Sequence, residues 1–186
     1  MVRPEGLELI ADLVSERGFQ DPVLCGHACA LMNLSGSELE WLLDKLVKAR
    51  LTVAALPSTN LYLQGRSPGQ TPERRGITRL QELRAAGVAL AVGSDNVGDA
   101  FCPLGLHDPL ANLALAALTA HLDPPYGPWL AAVTTDARRA LGFEANSIDK
   151  AAAADLLCCA ATHSAGLLAG ARRTPLADLL VQEEPA

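Results

Sequence analysis

Val88-Ala89-Leu90-Ala91-Val92 runs without a polar side chain and is followed at once by Gly93-Ser94-Asp95-Asn96. A short apolar run closed by turn-forming residues reads as a strand buried on both faces. Two earlier stretches have the same form. Residues 51–56 (Leu-Thr-Val-Ala-Ala-Leu) stop at Pro57, and residues 22–27 (Pro-Val-Leu-Cys-Gly-His) end in Gly26-His27. Helical patterns precede each of them. Residues 5–17 place Leu7, Ile10, Leu13 and Val14 on one stripe, with Gly18 as a stop. Residues 37–50 carry Leu39, Trp41, Leu42, Leu43, Leu46 and Val47, and Ser37 with Glu40 has the form of a capping box. Residues 78–86 give a third helix, with Thr78 as its cap and Gly87 after it. The order α-β-α-β-α-β, with strands apolar throughout, predicts an α/β fold in which a parallel sheet is covered by helices.

The second half is more helical. Asp108-Pro109 is a start signal, with the aspartate as cap and the proline at the first helical position, and 109–122 is rich in Ala and Leu. Pro124-Pro125 breaks the chain, and 128–141 reads as a further helix ending at Gly142. Beyond it, 154–161 reads as a strand, 163–169 as a short helix and 176–182 as a last strand.

The chain has 186 residues, 49% hydrophobic and 19% charged, with a formal net charge of -6. This is globular composition, enough for one domain, or one domain and a fragment of another. The acidic balance argues against a nucleic-acid surface, which needs a Lys/Arg patch. No apolar run approaches the ~20 residues that cross a bilayer, so no membrane partner is expected. The opening residues lack the apolar segment of a secretory signal. The five cysteines form no Cys-x-x-Cys pair and read as reduced thiols, which with the rest predicts a cytoplasmic protein.

In parallel α/β folds, chemistry collects at the carboxyl ends of the strands. Here the first strand ends in His27, the second leads into Pro57–Arg66, and the third ends in Asp95-Asn96. All three deliver polar groups to one rim. Each taken alone has an ordinary structural reading, a core histidine or a turn aspartate; their coincidence favours a site.

Asn60-Leu-Tyr-Leu-Gln-Gly-Arg66, Arg74-Arg75-Gly76-Ile77-Thr78, Gly93-Ser-Asp-Asn-Val97 and Pro103-Leu-Gly105, in that order and spacing, resemble the bacterial cytosine deaminase branch of the amidohydrolase superfamily. The resemblance covers residues 1 to about 145 and continues more loosely to the end. It implies a partial TIM-type (β/α)8 barrel, the last three strands and their helices, over 1–145, and a short β-rich tail over 146–186 that is a remnant of the family's small β-sandwich domain. It also implies roles. Asp95 falls where the family has its metal-binding, proton-accepting aspartate, and His27 where it has a catalytic histidine. Asn96 replaces an aspartate of the best-known members, Phe101 stands where an aromatic covers the substrate ring, and Gln64 and Arg66 lie in a loop on the same rim. The implied reaction is hydrolysis of a C–N bond in a cyclic amidine or small heterocycle by metal-activated water. A metal lowers the pKa of bound water, a carboxylate accepts the proton, and a neutral imidazole supports the developing charge.

The same resemblance implies a deficit. The family's His-x-His pair and its fifth-strand His and Glu have no counterpart, and the histidines are His27, His107, His121 and His163 alone. A divalent metal, iron or zinc, is expected in a complete site, with none as the option for the isolated chain. Three readings stay open: a component completed by an N-terminal half, a non-catalytic remnant that binds or assembles, and a self-associating half-barrel. Of the other candidates, His107 and His121 read as loop and helix-surface residues, and His163 as a cap or surface residue. Arg74 and Arg75 read as solvated or ion-paired rather than anion-binding, and Cys102 as a neighbour of the pocket without catalytic role.

Overall fold

A computed structural model of the chain describes residues 4–144 and 146–181. Three strands, β1 (Leu24–Gly26), β2 (Thr52–Ala55) and β3 (Ala89–Val92), form a parallel sheet in the order β1-β2-β3. The register aligns Cys25, Val53 and Leu90 in one row and Gly26, Ala54 and Ala91 in the next. Successive residues of a strand face opposite sides of a sheet. The first row is therefore the large apolar one, and it joins the main core. The second is a row of small residues.

Helices α1 (Glu5–Arg17), α2 (Gly36–Lys48) and α4 (Leu80–Ala86) bring Leu7, Leu42, Leu46 and Leu83 to that core. α1 and α4 end on Gly18 and Gly87, both left-handed, as the sequence predicts. Between α1 and α2, Lys45 pairs with Asp12 at 2.7 Å and with Glu8 at 3.6 Å, while its ammonium sits 4.5 Å from the Trp41 ring centre. The connection from β2, whose turn-forming residues predict a loop, holds a helix, α3 (Pro57–Leu63).

Several boundaries differ from expectation, for local reasons. α2 begins at Gly36 behind Ser35, so Ser37 lies inside its first turn and makes no capping bond. α4 begins at Leu80, and the Thr78 hydroxyl instead donates to the Ala28 carbonyl. α5 (Pro109–Thr119) stops before His121, which lies in the turn after it with a φ of 52°. The expected helix over 128–141 divides into a 3-10 segment, Gly127–Val133, and α6 (Thr135–Ala140). Over 154–161 only β4 (Leu157–Cys159) is strand. α7 (Ser164–Leu168) follows, capped by the His163 ring, which accepts from the Gly166 N–H. The expected strand at 176–182 is a correction: β5 is Arg173–Pro175, and Leu176–Val181 is helix α8, with 182 outside the described residues. A six-residue apolar stretch fits either period, and β5 supplies the antiparallel partner of β4 just before it.

The tail is tied to α5 by charge. Asp108 caps α5 by accepting from the Leu110 and Ala111 N–H groups. Arg173 of β5 clamps the same carboxylate with its two terminal guanidinium nitrogens. That hydrogen bond from Arg173, with help from the two N–H groups, pulls the Asp108 carboxyl down to about 2. Because the folded value lies below the ordinary one, the stabilisation is present above about pH 4 and lost as pH falls toward 2. Urea unfolding midpoints should therefore fall between pH 4 and 2 more steeply for the native protein than for Asp108→Asn. Parallel pH profiles of the two would contradict the clamp.

Candidate active site

The strand ends do converge. The His27 N–H continues the ladder to the Ala54 carbonyl, and Gly93 does the same to Ala55. Beyond these bonds the chain turns sharply. His27, Ala28 and Asp95 all have positive φ, at 65°, 53° and 62°. Left-handed backbone is costly for a non-glycine residue, and it clusters where the surrounding structure enforces it for a reason. The Ala28 N–H bonds back to the Gly26 carbonyl, closing a three-residue turn on His27, and the Thr78 hydroxyl holds the Ala28 carbonyl from the other side. Arg79 donates to the carbonyls of Leu31, Met32 and Leu34, fixing the 3-10 segment Cys29–Asn33 that follows.

The two turns aim their side chains at each other. β1 and β3 lie two strand spacings apart, roughly 10 Å, yet His27 Nε2 stands 3.6 Å from Asp95 Oδ2 across the end of β2. Both groups keep solvent access, 49% for His27 and 27% for Asp95. His27 Nδ1 lies 2.8 Å from the Oδ1 of Asn60, a buried residue of α3. Next to it, the buried Thr59 hydroxyl donates to the Ser94 carbonyl and accepts from the Asn96 N–H. Neither Thr59 nor Asn60 was identified as a site residue from sequence.

His27 also lines an open cleft of about 670 Å³ with Cys29, Asn33, Gln64 and Arg74. That volume suits a small molecule. Burial pushes the Cys29 thiol up to about 11, so it is no nucleophile at neutral pH. Arg74 donates to Asn33 Oδ1 at 3.2 Å, and Arg75 is exposed. Arg66 stacks on Tyr62, 4.5 Å from the ring centre. Gln64 is seated by a glycine: a Cβ on Gly76 would lie 2.3 Å from both Cβ and Cγ of Gln64.

Asn96 and Phe101 belong to a turn organised by Asp99. That carboxylate accepts from Asn96 Nδ2 and from the Phe101 and Cys102 N–H groups. The Cys102 N–H, then the Asn96 amide, hold it below the usual carboxylate range. The Phe101 ring is 60% exposed, and Cys102 is buried with its thiol on the Leu104 carbonyl. His107 and His121 are exposed on loops away from these contacts.

Among the described residues, no three His, Cys, Asp or Glu side chains come together as a metal site. A catalytic metal of this chemistry takes three or more protein ligands. Asp95 and His27 do not make that set, so the described residues do not fit a metal by themselves. All five cysteines are free. No helix among the described residues is long and apolar enough to cross a membrane.

Gly76→Ala should displace Gln64 and strain a backbone held at a φ of 64°. We expect a loss of about 1–3 kcal/mol in urea unfolding, while Gly36→Ala, whose added Cβ meets nothing within 4 Å, should lose less. Equal losses would show that the contact with Gln64 is unimportant.

The Amidohydrolase family matches residues 2–162. A pterin deaminase of Rhizobium rhizogenes is 41% identical over 136 residues, which are 73% of this chain and 31% of that protein. The structure superposes on 5-methylcytosine deaminase from Klebsiella pneumoniae liganded with 5-fluorocytosine, with a TM-score of 0.74 and 26% identity over 91% of this chain and 43% of the other. N-isopropylammelide isopropylaminohydrolase from Burkholderia multivorans gives a TM-score of 0.70 and 27% identity, over 88% of this chain and 39% of that one. The chain thus spans about a third of the length of its curated relative and about two fifths of the solved ones. With the family matched over most of its length, this chain belongs to the Amidohydrolase family, in its deaminase branch.

Proposed function

We propose that the chain is the C-terminal part of a (β/α)8 barrel and carries one side of a deaminase active site. The site would hydrolyse a C–N bond of a cyclic amidine or related small heterocycle. The observation that carries this reading is the approach of His27 and Asp95 to 3.6 Å from strand ends that β2 separates, both on left-handed backbone. Its support from relatives is the pterin and 5-methylcytosine deaminases and the ammelide aminohydrolase, all of which act on nitrogen heterocycles.

Each residue has a task in this reading. Asp95 presents a carboxylate able to accept a proton from the attacking water. His27 orients the reacting group beside it. Gln64 offers an amide donor and acceptor to the ring edge from the cleft wall. Phe101, on its Asp99-held turn, lies against the ring face, and Asn96 braces that turn. We keep the domain division at 145/146, with the parallel strands β1 to β3 before it and the antiparallel pair β4 and β5 after it. The free thiols agree with a cytoplasmic location.

Deaminases of the family are generally metal-dependent. Asp95 is the ligand we assign here, and iron or zinc is the expected metal. The remaining ligands come from residues outside this set, on an N-terminal half or a second copy of the chain. A second reading has one observation in its favour, the lack of a three-ligand group among the described residues. In it the chain is a non-catalytic barrel piece that binds or assembles.

Metal content per chain after dialysis separates the two. About one metal per chain, lost in Asp95→Asn, supports the enzyme reading; well below one for the chain alone, and still so with an N-terminal half supplied, supports the second. In a reconstituted full barrel, Asp95→Asn should lower turnover of a cyclic amidine by at least about a hundredfold, the scale of a lost general base. Retained turnover would overturn the assignment.

A further inference from the structure

We infer that Thr59 and Asn60, adjacent buried residues of α3, are positioning residues that fix the two reacting groups from opposite sides. Asn60 sets the tautomer of His27, and Thr59 sets the turn that carries Asp95. The inference rests on the proposed function only in calling His27 and Asp95 the reacting groups; the contacts stand without it.

The geometry at Asn60 is one-directional. An amide oxygen accepts and cannot donate, so the 2.8 Å contact between Asn60 Oδ1 and His27 Nδ1 requires the ring proton on Nδ1. In the neutral ring, Nε2 then carries a bare lone pair, and it faces Asp95 Oδ2. Two acceptors directed at one space form a receptor for a donor or a cation. With the proton on Nε2 instead, His27 would bond Asp95 directly and close that space. Asn60 therefore decides whether the pair is open to a third group or satisfied within itself. At only 2% exposure, the amide has little water to turn to.

Thr59 works on the other turn. Its hydroxyl donates to the Ser94 carbonyl at 3.3 Å, and accepts from the Asn96 N–H at 3.2 Å. One side chain thus bridges the residues before and after Asp95, which itself sits at a φ of 62°. α3 is held in turn by Ser58, whose hydroxyl donates to the buried Asn112 of α5.

The test uses the full chain with 15N-labelled histidine. The ring nitrogen shifts of His27, assigned through His27→Gln, report which nitrogen carries the proton. In the native protein we expect a protonated Nδ1 and an unprotonated Nε2. Asn60→Leu should move the proton toward Nε2, and Asn60→Asp, which keeps an acceptor oxygen, should restore it to Nδ1. A native His27 protonated on Nε2, or a tautomer unchanged in Asn60→Leu, would overturn the inference. The native spectrum decides the first point even if the leucine variant fails to fold. For Thr59, amide exchange at Asn96 should be about tenfold or more faster in Thr59→Val and near native in Thr59→Ser; equal protection in all three would overturn that half. Because both readouts are spectroscopic, they can fail while the Asp95 activity test succeeds, and the reverse.

Discussion

Parallel pairing of β2 with both of its neighbours is the constraint from which the rest of the structure follows. In a parallel sheet all carboxyl ends lie on one edge, so His27, the Pro57 helix and Asp95 must meet there whatever their separation in sequence. Pairing also fixes which residues face the core. The row of Cys25, Val53 and Leu90 is buried against α1, α2 and α4, leaving Gly26, Ala54 and Ala91 on the other face. A slip of one residue would exchange the two rows and place leucine and valine opposite the helices' reach.

From that edge a set of polar contacts runs back to the tail. Arg173 holds Asp108, Asp108 caps α5, Asn112 of α5 bonds Ser58, and α3 carries Thr59 and Asn60 to the two strand ends. Each link is a side chain bridging separate elements, and each buried member is satisfied. Asn112, only 2% exposed, accepts from Ser58 and donates to the Leu106 and Asp108 carbonyls. A buried polar set stiffens a structure when its members find partners, and among the described residues no buried side-chain nitrogen or oxygen is without one.

The parts legible in sequence were those decided locally. Strands β1 to β3 declare themselves as apolar runs, α1 and α4 by their terminal glycines, and α5 by Asp108-Pro109. The convergence of His27 and Asp95 on one rim is legible because strand ends are where a parallel fold exposes polar groups. What escaped was decided at a distance. α3 begins with Pro-Ser-Thr-Asn, residues that favour turns, and it has no side-chain cap. Within it, Thr59 and Asn60 find partners 35 and 33 residues away. No periodicity in seven residues announces that. The same limit misassigned Leu176–Val181, whose apolar residues suit either period until β4 selects Arg173–Pro175 as its partner.

Among the described residues the pair at the rim is not joined by a third His, Cys, Asp or Glu side chain. A single carboxylate binds a divalent ion weakly, because water competes for the other coordination positions. His27 Nε2 and Asp95 Oδ2 face one space from 3.6 Å apart while Asn60 holds the ring by Nδ1, so the pair offers two of the three or more donors a catalytic metal takes. On the face of the sheet away from Cys25, Val53 and Leu90, the row of Gly26, Ala54 and Ala91 leaves the least side-chain bulk. Small residues on that face are what a sheet needs if further strands are to curve around a shared centre.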